Sequence, residues 1–296
     1  MLKTNKELKM KRLFKTLTII LLVVACAFTV FACDGGEGSS LKKGLTLKKG
    51  TGEDLYTLYR YIDEGKGLTV LNLGEKAGEQ AIGRIVSGAF DGDSKLVEVI
   101  IPSTVTEIQA GALRKMSALN KITIPFVGTN ANADAFIGQT EAKDDKAVNE
   151  KRTFAYIFGN EEYGYGAKIT SNYGSGTEDR YIPVNLQEVV VSPSADYQIP
   201  AYGFAGVKLV ETITLGDKVI AIGENAFSGC RDLTSVYLSA TVKTIYQNAF
   251  EGCDGLTVIN FAGTLSDWAN VEKKDGWAGE TIEVVKCSDG LITVER

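Results

Sequence analysis

Histidine is absent from the 296 residues of this sequence. It is the commonest general base and metal ligand in proteins, and it is the middle member of Ser-His-Asp and Cys-His catalytic sites. Its absence excludes these sites and leaves hydrolases with paired carboxylates as the main enzymatic alternative. We therefore expect a protein that is not an enzyme, with no catalytic residue and no cofactor.

Positive charge is also scarce outside the first 32 residues. The whole chain has 32 basic and 37 acidic residues. Residues 1–32 contain six of the basic residues and one acid, Glu7, so 26 basic and 36 acidic residues follow them. An acidic body does not suit binding to the phosphate backbone of nucleic acids. We expect no nucleic-acid partner and a soluble, monomeric surface protein.

The first 33 residues have the pattern of a targeting segment. The stretch MLKTNKELKMKR is basic, LFKTLTIILLVVACAFTVFA is apolar, and CDGGEGSSLKKG turns polar and rich in glycine and serine. A basic start, an apolar run and small residues at its end indicate a secretory signal. The alternative is an uncleaved membrane anchor, although the 17 residues from Thr16 to Ala32 are at the short limit for a membrane span.

A cysteine at the end of the apolar run favours lipid attachment. The sequence VFAC at 30–33 resembles the lipobox of bacterial lipoproteins, in which the cysteine receives diacylglycerol. VVAC at 23–26 fits this motif better, but cleavage before Cys26 would leave AFTVFAC exposed at the new N-terminus. We predict that residues 1–33 are a lipoprotein signal peptide and lipobox, with lipid attached to Cys33 and Cys26 as the alternative. Residues 34–52 would then form a flexible tether.

A 23-residue period runs through most of the remaining sequence. Isoleucines spaced by this period begin the segments IVSGAFDGDSKLVEVIIPSTVTE, IQAGALRKMSALNKITIPFVGTN, IPAYGFAGVKLVETITLGDKVIA, IGENAFSGCRDLTSVYLSATVKT and IYQNAFEGCDGLTVINFAGT. Their shared frame contains L-x-x-V-x-I, the alternation of a short strand with one face inward. One such unit cannot bury its own apolar face but stacked units can, so the period predicts a solenoid. A doubly wound sheet, with a helix and two loops between strands, needs a longer period.

The frame resembles the BspA-like leucine-rich repeat family of bacterial surface proteins. Phrases such as IGENAFSGC and VIIPSTVTEI carry the resemblance, which extends from about Leu68 to Phe261 with an interruption. It implies a leucine-rich-repeat solenoid, an α/β-type repeat that is largely β and irregular, with a short-stranded parallel sheet on one face. It also implies a surface-exposed or lipid-anchored protein, and some members of the family are associated with adhesion to host proteins.

The repeat frame sets the domain boundaries after the tether. We expect an N-terminal cap and a first degenerate repeat at 53–84, beginning with a short helix at Asp54–Gly67. BspA-like repeats follow at 85–261. The remaining residues, 262–296, form a C-terminal cap with two tryptophans, because the terminal coils of a solenoid need atypical covers.

An insertion breaks the repeat at about 130–183. Its stretch TFAYIFG matches the Phe–Gly half of a repeat that ends at Val191, whereas EEYGYGAKITSNYGSGTEDRY has no sustained periodicity and is predicted to be a loop. Insertions in solenoids often carry binding, and tyrosine is an efficient contact residue. Tyr163, Tyr165 and Tyr173 are therefore candidate ligand-binding residues. The alternative is a solvated surface loop.

The outward positions of the predicted strands give a second set of candidates. One outward residue in each L-x-x-V-x-I strand is uncharged, and stacked strands would place these residues in one stripe across the sheet. Solenoids use such a face for partners, although β-branched residues are also simply good strand formers. The candidate ligand-binding residues of this stripe are Thr123, Val190, Thr214, Tyr237 and Asn260.

Cys230 and Cys253 occupy the same repeat position, 23 residues apart. Neighbouring coils lie about 4.8 Å apart, within the Cα separation of roughly 4.4–6.8 Å that a disulfide accepts. A free buried cysteine packs as a small hydrophobe, so the alternatives are a disulfide and a reduced pair in the core. No CxxC pair and no histidine accompany them, and no metal site is predicted.

These patterns together indicate a binding protein. We expect a lipid-anchored, monomeric protein of the bacterial cell surface, attached to the membrane through its N-terminal lipid. Its solenoid would mediate adhesion or bind an extracellular protein or glycan. One alternative is a structural or spacer protein of the envelope without a dedicated ligand. The other is a hydrolase without histidine that uses carboxylates in the insertion.

Overall fold

The computed structural model describes residues 44–49, 54–63, 67–74, 80–131, 146–174 and 176–295. All of these belong to one compact unit, Ser39–Arg296. The predicted leader, with Cys26 and Cys33, lies outside the described residues. Within the described part of the chain, no helix has the length and apolar character needed to cross a membrane.

The largest element is a sheet of nine short strands, which we call the long sheet. In spatial order its strands are β3 (Val70–Asn72), β5 (Glu98–Ile100), β7 (Lys121–Ile124), β10 (Glu188–Val191), β12 (Thr212–Leu215), β14 (Ser235–Leu238), β16 (Val258–Phe261), β18 (Val284–Lys286) and β19 (Leu291–Thr293). All neighbours are parallel except β18 and β19. The spatial order follows the chain order, so successive coils add successive strands, as in a solenoid.

Two smaller sheets are built from the first two strands of the described chain, which precede the long sheet, and from strands that lie between its strands in the chain. The first contains β1 (Leu45–Lys49), β2 (Tyr56–Tyr61), β4 (Ile82–Ile85) and β6 (Glu107–Ile108), and the second contains β11 (Tyr197–Ile199), β13 (Val219–Ile222), β15 (Thr244–Ile245) and β17 (Glu272–Lys273). Only β1 and β2 pair antiparallel within these two sheets. The fold is therefore mostly β, as predicted.

The strands of the long sheet bury the residues that the frame predicts. In β14, Val236 and Leu238 are buried while Ser235 and Tyr237 are half-exposed. The same alternation occurs in β7, β10, β12 and β16. Because side chains alternate along a strand, one row faces the core and the other faces solvent. The predicted solenoid with a parallel sheet on one face is confirmed.

The phenylalanine of the frame forms a column through the core, which we call the phenylalanine column. The rings of Phe204, Phe227 and Phe250 stack with centroids 5.2 and 5.1 Å apart and interplanar angles of 13° and 6°. The N–H of Phe204 donates to Ala226 in the next coil, and the N–H of Phe227 donates to Ala249. The backbone of each of these phenylalanines is thus hydrogen-bonded to the residue that precedes the phenylalanine of the next coil.

The phenylalanine column changes register at a 3₁₀ helix, Phe154–Phe158. Phe154 packs against Phe204 with centroids 5.0 Å apart and rings tilted by 31°, and its N–H donates to the carbonyl oxygen of the residue before Phe204. On the other side, Leu113 holds the frame position of the phenylalanine, and its N–H donates to the residue before Phe158. Phe158 packs edge-on against Phe154 at 5.3 Å. The two neighbouring coils therefore align with different phenylalanines, a step of four residues.

The insertion contains an antiparallel hairpin, which we call the hairpin. It consists of β8 (Gly166–Asn172) and β9 (Thr177–Pro183) and follows the short helix α1 (Lys146–Glu150) and the 3₁₀ helix. One side of the hairpin buries Ile169 and Ile182. The prediction of a loop was wrong. A few apolar residues on one face are enough to hold a Gly-rich hairpin in place when that face packs on an existing core. The predicted Phe–Gly half of a repeat in TFAYIFG is confirmed.

The N-terminal part of the described chain consists of strands. Residues 45–49, which the sequence analysis placed in the flexible tether, form β1. β2 lies where a short helix was expected, and its Leu58 and Tyr61 are buried. Both expectations were wrong. The segment YTLYRY has high strand propensity, and pairing with β1 and β4 makes it extended.

Two tryptophans close the core at the other end. The helix α2 (Leu265–Ala269) begins with a capping box and carries Trp268, which is 3% exposed and packs edge-on against Phe261 at 5.1 Å. Trp277 packs edge-on against Phe250 at 6.5 Å. The phenylalanine column therefore ends on an indole ring.

Candidate functional site

The predicted stripe of outward residues is present on the long sheet, and we call it the sheet stripe. In strand register the row runs Thr123, Val190, Thr214, Tyr237 and Asn260. All five side chains are half-exposed. Because neighbouring strands lie about 4.8 Å apart, the row is about 20 Å long. The predicted neighbours are brought together, and their role in binding stays a prediction.

The row continues beyond the sheet stripe at both ends. Ile100 and Asn72 extend it on one side, and Lys286 extends it on the other. The uncharged part therefore crosses seven neighbouring strands. A lysine stands only at the end towards the C-terminal cap.

A charged row lies beside one end of the sheet stripe. Lys121 is 3.6 Å from a carboxylate oxygen of Glu98 and 3.3 Å from one of Glu188. These three residues are neighbours in strand register. Sequence reasoning missed them, although the signal was available, because each lies two residues before an outward position of the uncharged row.

Tyr237 is the largest side chain of the sheet stripe, and its ring is half-buried. Burial raises the pKa of Tyr237, and the carboxylate of Glu188 raises it further. The hydroxyl group therefore stays protonated at neutral pH and can donate a hydrogen bond. A ring with apolar area and one polar tip is typical of anchors in protein interfaces.

The three candidate tyrosines of the insertion lie in different environments. Tyr165 is 65% exposed. Tyr163 is half-buried against Gly166, and burial raises its pKa to about 12. Tyr173 is only 4% exposed, so its ring is not available to a partner, and we remove it from the candidates. It is buried because it directly follows β8, whose inner face packs on the core.

A pocket of about 350 Å³ lies beside the step in the phenylalanine column. Residues of α1, the 3₁₀ helix, β9 and the turns of two coils line it. We call it the arginine pocket. Sequence reasoning missed it because its residues are far apart in the chain and only the insertion brings them together. Its charged lining residues are Arg114, Glu150, Glu161, Glu178 and Arg180.

The two arginines of the pocket are paired with carboxylates. Arg180 is 5% exposed, and its Nη2 lies 3.4 Å from a carboxylate oxygen of Glu150. Arg114 donates from Nη2 to Asp91 at 2.7 Å, and its Nη1 lies 3.6 Å from Glu161. The Nε atoms of both arginines are buried, and among the described residues neither has a hydrogen-bond acceptor. Both Nε–H groups are closed off from solvent, so neither is presented to the pocket.

Cys230 and Cys253 are free and buried, so the reduced alternative is observed. The Sγ of Cys230 donates to the carbonyl oxygen of Phe204 at 3.1 Å, and the Sγ of Cys253 donates to that of Phe227 at 3.2 Å. Burial raises the pKa of Cys253 to about 12. The described residues contain no group of three His, Cys, Asp or Glu side chains that could hold a metal ion.

The fold is that of a leucine-rich-repeat solenoid, and the comparison with protein families agrees. The profile of the BspA type leucine rich repeat region matches residues 72–154 and 181–270, with six copies. This match covers more than half of the chain, which belongs to the BspA type leucine-rich repeat family. The gap in the match, 155–180, contains β8 and the start of β9.

Three solved structures are similar to parts of this chain. A leucine rich cell surface protein from Faecalibacterium prausnitzii A2-165 is 19% identical, with coverage of 78% of this chain and 41% of that chain and a TM-score of 0.35. A leucine rich repeat protein of T. pallidum is 17% identical, covers 83% of both chains and has a TM-score of 0.33. A leucine-rich repeat protein from Bacteroides ovatus is 20% identical, covers 78% and 47%, and has a TM-score of 0.33.

The chain spans less than half of the length of the first and third of these proteins. No curated protein sequence matches it.

Proposed function

We propose that this chain is a binding protein of the bacterial cell surface that attaches to an extracellular protein through the long sheet. The sheet stripe carries the proposal, because it is a continuous uncharged row with an aromatic anchor, Tyr237. The charged row of Glu98, Lys121 and Glu188 forms its border. Protein interfaces combine a core depleted in charge with a polar rim and a few aromatic anchors.

The proposal includes attachment to the membrane by a lipid on Cys33, with Cys26 as the alternative. It is supported by the apolar run, the cysteine at its end and the polar segment that follows. The full chain should partition into the detergent phase, and Cys33→Ala should move it to the aqueous phase. If Cys33→Ala and Cys26→Ala both leave partitioning unchanged, the lipoprotein part of the proposal fails.

A binding role rather than a catalytic one is supported by the ion pairs of the arginine pocket. Glu150 faces Arg180, and Glu161 faces both Arg114 and Lys115. These carboxylates are occupied by cations rather than facing each other as a free acid and base. Incubation of the full chain with cell-wall glycans should release no new reducing ends, and a release that scales with protein concentration would support the hydrolase instead.

The decisive experiment tests the sheet stripe directly. The full chain, purified in a mild detergent, is applied to an array of extracellular-matrix proteins and cell-wall glycans. The affinity for each bound protein is then measured for the wild type and Tyr237→Ala. Loss of an interface anchor costs about 2 kcal/mol or more, so we expect binding to weaken by about thirtyfold.

Tyr246→Ala is the matched control, because Tyr246 is also half-buried but follows β15, which belongs to another sheet. It should bind like the wild type. An array without any bound partner favours the spacer protein. Binding only to glycans shifts the proposal from a protein to a glycan partner.

A further inference from the structure

The end of the fold that receives the N-terminal segment has a basic surface with exposed apolar side chains. It is formed by β1, β2 and the residue after β2. We call its exposed side chains the basic patch, and they are Lys48, Lys49, Tyr59, Arg60 and Ile62. We propose that the basic patch lies on the membrane surface and binds anionic lipid headgroups. This inference rests on the proposed attachment of the chain to a membrane and adds which end of the fold faces the lipid.

A β-bulge leaves two consecutive side chains of β2 exposed. In the pairing of β1 with β2, Thr46 lies opposite Arg60, and the next residue of β1 lies opposite Leu58. Tyr59 therefore has no partner in β1. Consecutive side chains of a strand normally point to opposite faces, but Tyr59 and Arg60 are both exposed. Bulges redirect side chains in this way, and this one presents an aromatic ring next to a cation.

The two lysines of β1 stand over tyrosine rings of β2. The Nζ of Lys48 lies 4.7 Å from the ring centroid of Tyr59, and the Nζ of Lys49 lies 5.8 Å from that of Tyr56. Within the described part of the chain, no carboxylate forms an ion pair with Lys48, Lys49 or Arg60. Lysine and tyrosine each combine an apolar body with a polar tip, which suits a boundary between lipid and water.

The charge around the basic patch is opposite to that of the rest of the chain. Residues 42–62 contain five basic and two acidic residues, whereas the other residues after position 32 contain 21 basic and 34 acidic ones. The neighbouring Asp63 is ion-paired with Lys95 at 2.7 Å. A surface of anionic lipid attracts basic side chains and repels acidic ones within roughly 10 Å. Such a surface therefore favours the orientation in which the basic patch faces the lipid and the acidic remainder faces away.

Exposed apolar side chains are concentrated towards the same end of the fold. The described residues include seven exposed large hydrophobic residues, and four of these lie between positions 59 and 97. Two of the four, Tyr59 and Ile62, belong to the basic patch. Protein surfaces that bind membranes combine basic residues with aromatic and aliphatic ones. The basic patch therefore offers apolar contacts to the lipid boundary in addition to its charge.

The short segment before the fold keeps the basic patch close to the proposed lipid site. Ten residues, 34–43, separate Cys33 from Gly44. The N–H of Ile62 donates to the carbonyl oxygen of Gly44 at 2.8 Å, so the patch begins where the fold receives this segment. Even a fully extended chain of this length spans at most about 40 Å. Lipid attached to Cys33 therefore holds the basic patch within this distance of the membrane.

The test measures contact between the basic patch and lipid in vesicles. The full chain is reconstituted into vesicles of phosphatidylcholine, either alone or with about one third phosphatidylglycerol. Hydroxyl-radical oxidation of single residues is then measured by mass spectrometry. We expect Tyr59 and Ile62 to be oxidised at least about threefold more slowly in the anionic vesicles. Tyr165 and Leu291, which are exposed elsewhere on the fold, should be oxidised at the same rate in both.

Two double variants tie this protection to the basic patch. Lys48→Glu with Lys49→Glu reverses the charge of β1 at exposed positions, and it should abolish the difference between the two kinds of vesicle. Lys208→Glu with Lys218→Glu makes the same change in net charge at exposed positions of other coils, and it should keep the difference. Circular dichroism of both double variants shows whether the fold is retained.

Three results would overturn the proposal. The first is equal oxidation of Tyr59 and Ile62 in the two kinds of vesicle. The second is equally strong protection of Tyr165 or Leu291, which would mean that the membrane contact is not confined to this end of the fold. The third is loss of the difference in the double variant of Lys208 and Lys218, which would mean that net charge and not the basic patch is responsible.

Failure of this proposal can be distinguished from failure of lipid attachment. Flotation of the vesicles reports whether the chain is attached, and it is measured for the wild type and for Cys33→Ala. If Cys33→Ala floats like the wild type, attachment through Cys33 is wrong, while the oxidation test still applies to the attached chain. If the wild type floats with neither kind of vesicle, the basic patch does not bind lipid and this proposal is wrong as well.

Discussion

Two glycines at the same repeat position show what a single residue contributes here. Gly92 and Gly206 have φ values of 75° and 77°, in the left-handed region. A Cβ at Gly92 would meet nothing within 4 Å, whereas a Cβ at Gly206 would lie 2.5 Å from the carbonyl oxygen of Thr170 in the hairpin. The first glycine serves only the turn, and the second also lets the hairpin lie against the coil.

We expect Gly92→Ala to lower the free energy of unfolding by about 1–2 kcal/mol, the cost of a side chain in the left-handed region. Gly206→Ala should cost at least about 1 kcal/mol more, because the backbone of the hairpin must move. Urea unfolding of the full chain measures both, and limited proteolysis should cut the hairpin faster in Gly206→Ala only. Equal losses of stability would contradict the close contact with Thr170.

The buried thiols predict a loss of stability at alkaline pH. The thiol of Cys253 has its pKa raised by burial from 9.0 to about 12. Between these values the folded chain keeps a proton that the unfolded chain releases, so the free energy of unfolding falls as the pH rises. The contribution of one thiol is at most about 1.4 kcal/mol per pH unit.

Urea unfolding between about pH 8 and about pH 10 tests this, with Cys253→Ala as the comparison. Other groups also titrate there, so the difference between the two slopes isolates the thiol. The wild type should lose stability more steeply than Cys253→Ala. Parallel slopes would show that the thiol ionises equally in both states.

The sequence predicts the burial of a single residue correctly where the repeat frame determines its position. Val236, Phe227 and Cys253 are buried as the frame predicted, because each coil repeats the environment of the last. Arg114 and Arg180 could not be found in this way. Arg114 pairs with Asp91 one repeat away, but its contact with Glu161 and the pair of Arg180 with Glu150 involve the insertion, so no repeat spacing indicates that the two arginines share a pocket.

At the scale of elements, the phenylalanine column is the clearest case of coupling between coils. Phe227 has a neighbouring ring on each side at 5.2 and 5.1 Å. Phe227→Ala should lower the free energy of unfolding by about 3–5 kcal/mol, because it leaves a cavity between two rings. Phe227→Leu keeps most of the volume and should cost about 1–2 kcal/mol through the loss of ring contacts.

Thermal and urea unfolding followed by circular dichroism measure these losses. The ratio of the two losses in the free energy of unfolding separates the effect of cavity formation from the effect of the lost ring contacts. Equal losses for leucine and alanine would mean that ring stacking, and not volume, dominates the column.

The elements that sequence reasoning missed share one property. β2 and the hairpin both lie where the repeat frame is degraded or absent, and both were assigned from local composition. YTLYRY in β2 has high strand propensity, but nothing within the segment indicates a partner strand, and the glycines of the hairpin indicate a loop. Tertiary pairing with β1, β4 and the core decided the outcome, and composition does not report on such pairing.

At the scale of the whole molecule, the period predicts which deletions the fold tolerates. Removal of residues 222–244 takes out one full period and joins Ala221 to Ile245, so that Phe204 would stack on Phe250. In a solenoid, stability is a sum over coils and their interfaces, so the shortened chain should fold with reduced stability.

Removal of residues 225–244 is the matched control, because it shifts every later frame position by three residues. It should give an unfolded or aggregated chain. Size-exclusion chromatography and circular dichroism distinguish the two. Similar behaviour of both deletions would mean that the register of the coils does not matter to this fold.

The hairpin has a mechanical consequence. It contacts the coil after the step, where Thr170 lies against Gly206, and it contacts the C-terminal end of the 3₁₀ helix at the step, where the N–H of Tyr181 donates to the carbonyl oxygen of Gly159. It therefore connects the two sides of the step in the phenylalanine column. When the solenoid is stretched from its two ends, it should unfold in one event as long as the hairpin stays folded. Without the hairpin, the coils should first separate at the step and then unfold in a second event.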